Sequence, residues 1–425
     1  MNFKKIKGTQ DFWGNDIIKK RFVENTARNI VSNSGFSEIE TPIFESTDVF
    51  LRIGEETDIV NKEMYTFKDK GNRSITLRPE GTAGVARSFL ENKLYANNLP
   101  FTKLFYNGPM FRYERPQAGR YRQFQQFGVE VFGEITPLLD SDVIMTAYNI
   151  FKKLKIKNVK LKINSIGDFA SREKYTIALK EYFTKHLDKL CSDCNRRIET
   201  NPLRILDCKI DQDSEVLKHA PKISSYLTKE AKEYFDDVLK NLDYFKINYE
   251  LDEKLVRGLD YYTDTVFEFI IESTDQLNGL ALCAGGKYAD LITSFNGMDI
   301  PGTGYAFGVE RIIAIMDEQN CWLEEMQDQL DILIISLDSE SKLLSLDIAN
   351  NLRMKDYRVE IDYKNYKMKQ QFKLADKLNP QYIIIIGEEE RKQKLISIKN
   401  TKTKIQETIK QDSLITYLEK NNENT

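Results

Sequence analysis

Residues 111–133 read FRYERPQAGRYRQFQQFGVEVFG, which sets four arginines and four glutamines among aromatic residues. From Arg120 onward the even positions hold Arg120, Arg122, Phe124, Gln126, Gly128 and Glu130. The odd positions hold Tyr121, Gln123, Gln125, Phe127, Val129 and Val131. In a strand these two sets point to opposite faces. The later odd residues suit a core, whereas the even face carries guanidinium groups, an amide, a bare glycine and a carboxylate. Residues 104–114 are strand-like too, and Pro116 and Gly119 between the two runs predict a hairpin loop. Most of what such a chain can become follows from this: a β-hairpin with one apolar face and one charged face. A simple solvated sheet face shows the same alternation, so the charged set needs support from elsewhere in the chain.

The chain has 425 residues, enough for two or three domains with real cores, and its 41% hydrophobic and 30% charged content exclude a disordered or membrane-embedded class. The opening MNFKKIKGTQDFWGND has no apolar stretch of secretory type. The longest aliphatic run, Ile383 to Ile386, is far short of a bilayer span. Five cysteines in a chain of this length suit a reducing compartment, so a cytoplasmic protein with no membrane partner is expected. Basic and acidic residues nearly cancel, 62 against 65, and any nucleic-acid contact must therefore use a local patch. Only two histidines occur, His186 and His219, both outside the charged run. Arginine-driven electrostatics is thus a more natural chemistry than histidine base catalysis.

Residues 16–33 have the period of an amphipathic helix, with Val23, Ala27, Ile30 and Val31 on one stripe and Gly35 as a stop signal. FSEIETPIF follows as an extended segment that Pro42 keeps out of a central ladder. SITLRPEGTAGVARSFLEN reads as strand, turn and a helix opening near Thr82, whose free N–H groups would lie beside Glu80. A helix over 141–156 and a strand VKLKIN come next. Residues 168–243 turn polar and helix-forming, as an inserted helical module would. Strand character returns over 244–271, and GTGYAFGVERIIAIM reads as a glycine-rich strand running into a helix. From residue 331, β and α elements alternate as in a separate small α/β domain. The expected units are 1–167, 168–243, 244–326 and 331–425.

Arginines recur on or beside strands in three places: Phe111–Glu130, Leu255–Glu268 and Gly304–Arg311. Arginine forks suit polyanionic phosphate, because they make paired, charge-assisted bonds. Gly304 and Gly308, with Ala306 between, leave either a flat floor for a planar ring or room for close backbone packing. Neither GxxxxGK[ST] nor a GxGxxG after a strand is present, so a bound nucleotide is not held in P-loop or Rossmann fashion.

Three segments in order resemble the motifs of class II aminoacyl-tRNA synthetases: Gly35-Phe36-x-x-Ile39-x-x-Pro42-Ile43-Phe44, Phe111-Arg112-x-Glu114, and Gly304-x-Ala306-x-Gly308-x-Glu310-Arg311. Glu114-Arg115-Pro116-Gln117, LVRGLDYYTDTVFEF, IGEETDIVNKEMYTF and TLRPEGTAG are similar to the histidyl-tRNA synthetase family in particular. The resemblance implies an α+β fold: an antiparallel-sheet catalytic domain with a helical insertion, then a C-terminal α/β anticodon-binding domain. It implies a homodimer that uses ATP and Mg²⁺ to join histidine to its tRNA through a histidyl-adenylate. A catalytically inactive paralogue, serving as a regulatory or tRNA-sensing subunit, is the alternative.

The resemblance also implies roles. Arg112 and Arg257 would act at the α-phosphate, Arg257 also contacting the histidine, and Arg120 and Arg311 at the outer phosphates, with Glu114 also in the ATP site. Glu80, Thr82 and Gln126 would hold the histidine ammonium. Glu130 and Tyr262 would meet the two imidazole nitrogens, with Tyr261 and Tyr288 beside them. Gln117 would read the extra 5′ guanosine of the tRNA, although a loop glutamine can equally be solvated. The family turn of GGRYD type is Gly285-Gly286-Lys287-Tyr288-Ala289 here, so the usual Asp is missing. Cys191, Cys194 and Cys208 invite a zinc reading, but they do not form two CxxC pairs, and a fourth ligand has to be sought at His219 or Asp193. No protein metal ligand is expected.

Overall fold

The alternation around Gln126 is realised as strand Gln123–Gly133, paired antiparallel along its length with Phe101–Phe111. This computed structural model describes residues 3–54, 57, 59–97, 99–116, 119–256, 261–273, 278–295, 297–323, 330–364 and 367–422. The chain divides into two units, Met1–Glu324 and Glu325–Thr425. Among the described residues no helix is long and apolar enough to cross a membrane.

The first unit is built on an eight-stranded sheet. From one edge to the other its strands are Ser37–Glu38, Phe101–Phe111, Gln123–Gly133, Gly302–Gly308, Ala281–Tyr288, Tyr262–Ile271, Val159–Ser165 and Tyr249–Leu251. Among the described residues only the two edge strands pair parallel to their neighbours. Phe105, Phe127, Val129, Val131, Phe267, Phe269 and Phe307 point to one face and are buried there. Helices Asn15–Asn33, Pro137–Lys153, Lys229–Tyr244 and Val309–Glu318 cover that face through Val23, Val143, Val238 and Ile312 among others. Phe105, Phe127 and Phe307 stack in series, with centroids 5.7 and 5.2 Å apart. The opposite parity, Tyr106, Gln126, Glu130 and Gly304, is left for the other face.

Local signals set the helix ends. Thr136 caps Pro137–Lys153 by accepting from the Leu139 N–H at 3.3 Å, and Pro137 needs no donor at the first turn. The helix therefore starts four residues before the expected 141. The 16–33 helix runs Asn15–Asn33 and closes at Gly35, whose φ of 83° favours glycine. In 168–243, helix Phe169–Thr184 packs Tyr175, Leu179 and Phe183 with Cys194, Ile198 and Ile205. Lys229–Tyr244 instead packs on the sheet.

The second unit has a five-stranded sheet ordered Val359–Ile361, Ile332–Ser336, Tyr382–Ile386, Leu395–Asn400, Gln406–Lys410. The first three strands are parallel and the last two antiparallel. Helices Ser341–Arg353, Met368–Leu378 and Leu414–Asn422 accompany them. The architecture is the expected α+β catalytic unit followed by an α/β domain.

Candidate active site

A cavity of about 450 Å³ opens on the sheet face that the helices leave uncovered. The central strands align its floor residue by residue. Across the Gln123–Gly133 and Gly302–Gly308 pair, Gln126 faces Gly308, Gly128 faces Ala306 and Glu130 faces Gly304. The two glycines serve different ends. A Cβ on Gly304 would overlap the Glu130 carboxylate and the Val129 carbonyl, whereas a Cβ on Gly308 would meet almost nothing. Close packing therefore explains Gly304, and open floor explains Gly308.

Two buried carboxylates mark one end. Glu130 is 2% exposed and accepts a hydrogen bond from the Tyr288 hydroxyl at 2.6 Å. Burial pushes its carboxyl up to about 8, and the Glu80 charge nearby adds to the rise. Glu80 is buried too, and its oxygens accept from the Thr82 and Ala83 N–H groups at 2.7 and 2.8 Å at the start of helix Thr82–Glu91. Burial raises the Glu80 carboxyl, and those backbone donors hold it back. The Gln126 side-chain oxygen accepts from the Gly81 N–H at 2.9 Å and the Tyr106 hydroxyl at 3.3 Å. Tyr261 and Tyr262 line the cavity with ring centroids 4.8 Å apart. Tyr288 stands behind Glu130 and orients it, with its ring edge-on to Tyr261 at 5.4 Å.

Three arginines mark the other end: Arg112, Arg120 and Arg311. Arg112 donates from Nε to the Pro79 carbonyl at 2.8 Å and lies 5.3 Å over the Phe124 ring. Glu114 lies 3.9 Å from Arg112 and 3.5 Å from Arg120. Arg311 donates to the Ala281 carbonyl at 2.6 Å. Burial, then the neighbouring Arg120 charge, brings its guanidinium down to about 10. Glu114 and Glu268 offset part of this charge, and three guanidinium groups on one cavity wall suit a polyanion. Glu310 faces away from that role, since both its oxygens accept from the Gln125 N–H at 2.9 Å.

The structure thus brings Glu80, Thr82, Arg112, Glu114, Arg120, Gln126, Glu130, Tyr261, Tyr262 and Arg311 to one cavity. Arg257 and Gln117 lie outside the described residues. Arg122, grouped with Arg120 by alternation, is not in the cavity: regular pairing begins at Gln123, and its guanidinium stacks on Tyr113 at 4.0 Å. Tyr121, Phe124, Arg204 and Glu268 are among the lining residues that had no role assigned from sequence. Phe124 belongs to the even set, and Glu268 shares a face with Tyr262, so alternation could have found both. Tyr106 was missed as well, although it faces Gly128 across the hairpin. Ala289 begins helix Asp290–Ser294 without a side-chain cap, which is where the absent Asp tells. Cys191, Cys194 and Cys208 do converge, but their fourth neighbour is Asp211, not His219 or Asp193. The intervening chain folds back in a way that sequence distance does not show.

A Cβ on Gly128 would run into the Tyr106 ring. Gly128→Ala should displace Tyr106, loosen Gln126 and weaken amine binding at least about 10-fold, with a loss of about 1–3 kcal/mol of stability. Ligand titration and thermal melting check this.

A carboxylate end for a small amine and an arginine end for a polyphosphate are what an enzyme that activates amino acids with a nucleotide requires. The histidyl-tRNA synthetase family matches residues 8–312, and an anticodon-binding domain family matches residues 331–421. The histidine–tRNA ligase of Staphylococcus haemolyticus (strain JCSC1435) is 45% identical over 419 residues, covering 98% of this chain and 99% of the relative. The crystal structure of apo S. aureus histidyl-tRNA synthetase superposes with a TM-score of 0.84 at 40% identity, covering 98% of this chain and 99% of that one. Histidyl-tRNA synthetase from Nostoc sp. PCC 7120, at 20% identity and a TM-score of 0.71 over 99% and 100% of the two chains, shows the shared fold. This chain belongs to the histidyl-tRNA synthetase family.

Proposed function

We propose that this chain is an ATP-dependent ligase that joins histidine to its tRNA through a histidyl-adenylate. The observation that carries the reading is the pair of buried carboxylates, Glu80 and Glu130, opposite an arginine cluster in one cavity. Histidine brings two basic nitrogen centres to the carboxylates, and ATP brings its phosphates to the arginines. Glu80, helped by Thr82 and Gln126, takes the ammonium. Glu130, held by Tyr288, takes one imidazole nitrogen and Tyr262 the other, with Tyr261 closing the pocket. A ligand without paired nitrogens would leave these groups buried and unsatisfied, which supports discrimination of roughly 10⁴-fold.

The histidine carboxylate then attacks the α-phosphate and pyrophosphate leaves. Negative charge grows on the phosphoryl oxygens, so cations already in place favour the transition state over the ground state. Arg112 serves there, joined by Arg257 on the strength of its motif, while Arg120 and Arg311 hold the outer phosphates. The hard carboxylate oxygens of Glu114 and Glu268, both on the cavity wall, would hold a Mg²⁺ bound with ATP, which would supply neutralisation of phosphate charge. Gln117 reads the tRNA acceptor end. The inactive-paralogue alternative is disfavoured because Arg112, Glu130 and Arg311 are all retained and share the cavity. The setting we infer is the cytoplasm.

We further infer a homodimer. Phe36 and Ile39 are packed within this chain, but Ile43 and Phe44 are exposed. Phe44 lies in a small antiparallel sheet with Ser74–Leu77 and Tyr65–Lys68. Thr76 is buried in that sheet, where it meets Thr47 and Thr66 at 3.0 and 2.8 Å, while Phe44 and Phe67 are left exposed. Such inversion suits a face covered by a second copy. Sedimentation should give a dimer at micromolar concentration, and Phe67→Asp should shift it to monomer. A fully active monomeric wild type would refute the assignment.

The second unit reads the anticodon. Lys369, Lys373 and Lys377 are all exposed on helix Met368–Leu378, while Gln371 and Ala375 are buried on its other side. Deleting residues 331–425 should spare histidine-dependent pyrophosphate exchange and reduce tRNA charging, with anticodon discrimination lost. Charging of tRNA variants by the full-length and shortened proteins tests it. Equal discrimination by a folded, shortened dimer would place the reader elsewhere.

A further inference from the structure

In the helical segment far along the chain from the motifs, four metal-ligating side chains face one another. The donor atoms of Cys191, Cys194, Cys208 and Asp211 all lie within 4.8 Å of one another. The spacing that had looked irregular is a paired one: Cys-x₂-Cys, thirteen residues, then Cys-x₂-Asp. The second pair simply ends in a carboxylate. Two short chelating turns joined by a loop are the usual way a small closed metal site is built.

The local geometry suits ligation. The Cys191 and Cys208 sulfurs are 3.7 Å apart. Tetrahedral zinc with Zn–S bonds of about 2.3 Å requires sulfurs about 3.8 Å apart, so this edge already has the needed length. It is too long for a disulfide, and all three cysteines are free thiols. Cys191 begins helix Ser192–Thr200, and the Cys194 N–H donates to its sulfur at 3.4 Å. The Cys191 N–H donates to Asp211 Oδ2 at 3.0 Å. Cys194, Cys208 and Asp211 are buried. A structural role in packing needs no such convergence of three sulfurs and an acid.

We propose that Cys191, Cys194, Cys208 and Asp211 form a closed tetrahedral site for a structural zinc ion, which fastens the loop that carries Arg204 to the substrate cavity. Thiolate donors select zinc among common divalent ions, and four protein donors leave no open position for catalysis. Zinc binding releases the thiol protons to solvent; no redox step is involved. Residues 195–207 span the two ligand pairs. Within them Arg204 lines the cavity, its carbonyl accepts from Arg197 at 3.2 Å, and Ile198 and Ile205 are buried. Metal bonds at both ends of this loop would restrict it far more than those contacts alone.

The test uses the full chain, grown with added zinc and purified under reducing conditions without chelators. Elemental analysis should find about one zinc per chain. Replacement by Co²⁺ should give visible bands of tetrahedral intensity together with thiolate-to-cobalt charge transfer. Cys208→Ser should lose the metal and Cys321→Ser should keep it. If Cys208→Ser does not fold, Asp211→Asn and stripping of the wild type by a chelator serve instead, each lowering bound zinc. Stripping should also speed tryptic cleavage after Arg204. Less than about 0.1 zinc per chain with no cobalt bands overturns the site, as does full zinc content in a folded Cys208→Ser. Unchanged cleavage after stripping overturns the fastening role. None of these readouts depends on ligase activity.

Discussion

Arg112→Ala should lower kcat for histidyl-adenylate formation at least about 10²-fold, the scale of loss seen when one preplaced donor to a developing anion is removed. Arg112 is anchored by the Pro79 carbonyl and stacked on Phe124, so its charge is fixed before substrate arrives. That prior ordering is what makes it useful in the transition state, since no reorganisation is needed when charge develops. The melting temperature should change little, because the guanidinium lies at the cavity wall and is only partly buried. Arg112→Lys should recover part of the rate, as it restores charge without the planar fork. Near-normal adenylation by a folded Arg112→Ala protein would remove Arg112 from the phosphate site.

Glu130→Gln should weaken histidine binding at least about 30-fold, the lower range for breaking a buried, hydrogen-bonded charge pair. It should also change the pH profile. The carboxyl is pushed up to about 8 in the free protein, whereas a free imidazole titrates near ~6.5. Between these values the separated partners together hold one proton, the same number as the bound pair, so binding needs no net proton exchange. Above about 8 Glu130 has lost its proton, the pair must take one up, and affinity falls as pH rises. Below ~6.5 both partners are protonated, one proton must leave, and affinity falls as pH drops. Calorimetry across this range should show an optimum for the wild type. In Glu130→Gln the loss above about 8 that stems from this carboxyl should disappear. The same loss in both proteins would show that another group controls binding.

Much of this site can be read from alternation. Gln126 and Glu130 follow from the period-two pattern that also buries Phe127, Val129 and Val131, because a strand with one packed face leaves no choice about the other. The pattern fails at Arg122, just before regular pairing starts, where the chain still turns. It is silent about Arg204, which reaches the cavity through a loop whose path depends on tertiary packing. Glycine alone could not distinguish the crowded Gly304 from the open Gly308, since that depends on which side chain lies across the ladder. In the second unit, strand Gln406–Lys410 and helix Glu388–Gln393 were not anticipated: both are exposed and polar, so neither carries an apolar period. Asp211 escaped notice because a carboxylate beside cysteines is not distinctive until the fold brings it within reach.

The most direct test of the whole account is ATP–pyrophosphate exchange by the purified full-length protein, run separately with each of the twenty amino acids. Exchange is expected with histidine, abolished when histidine is omitted and at least about 10³-fold weaker with every other amino acid. No exchange with histidine from a folded dimer, or equal exchange with another amino acid, would contradict it.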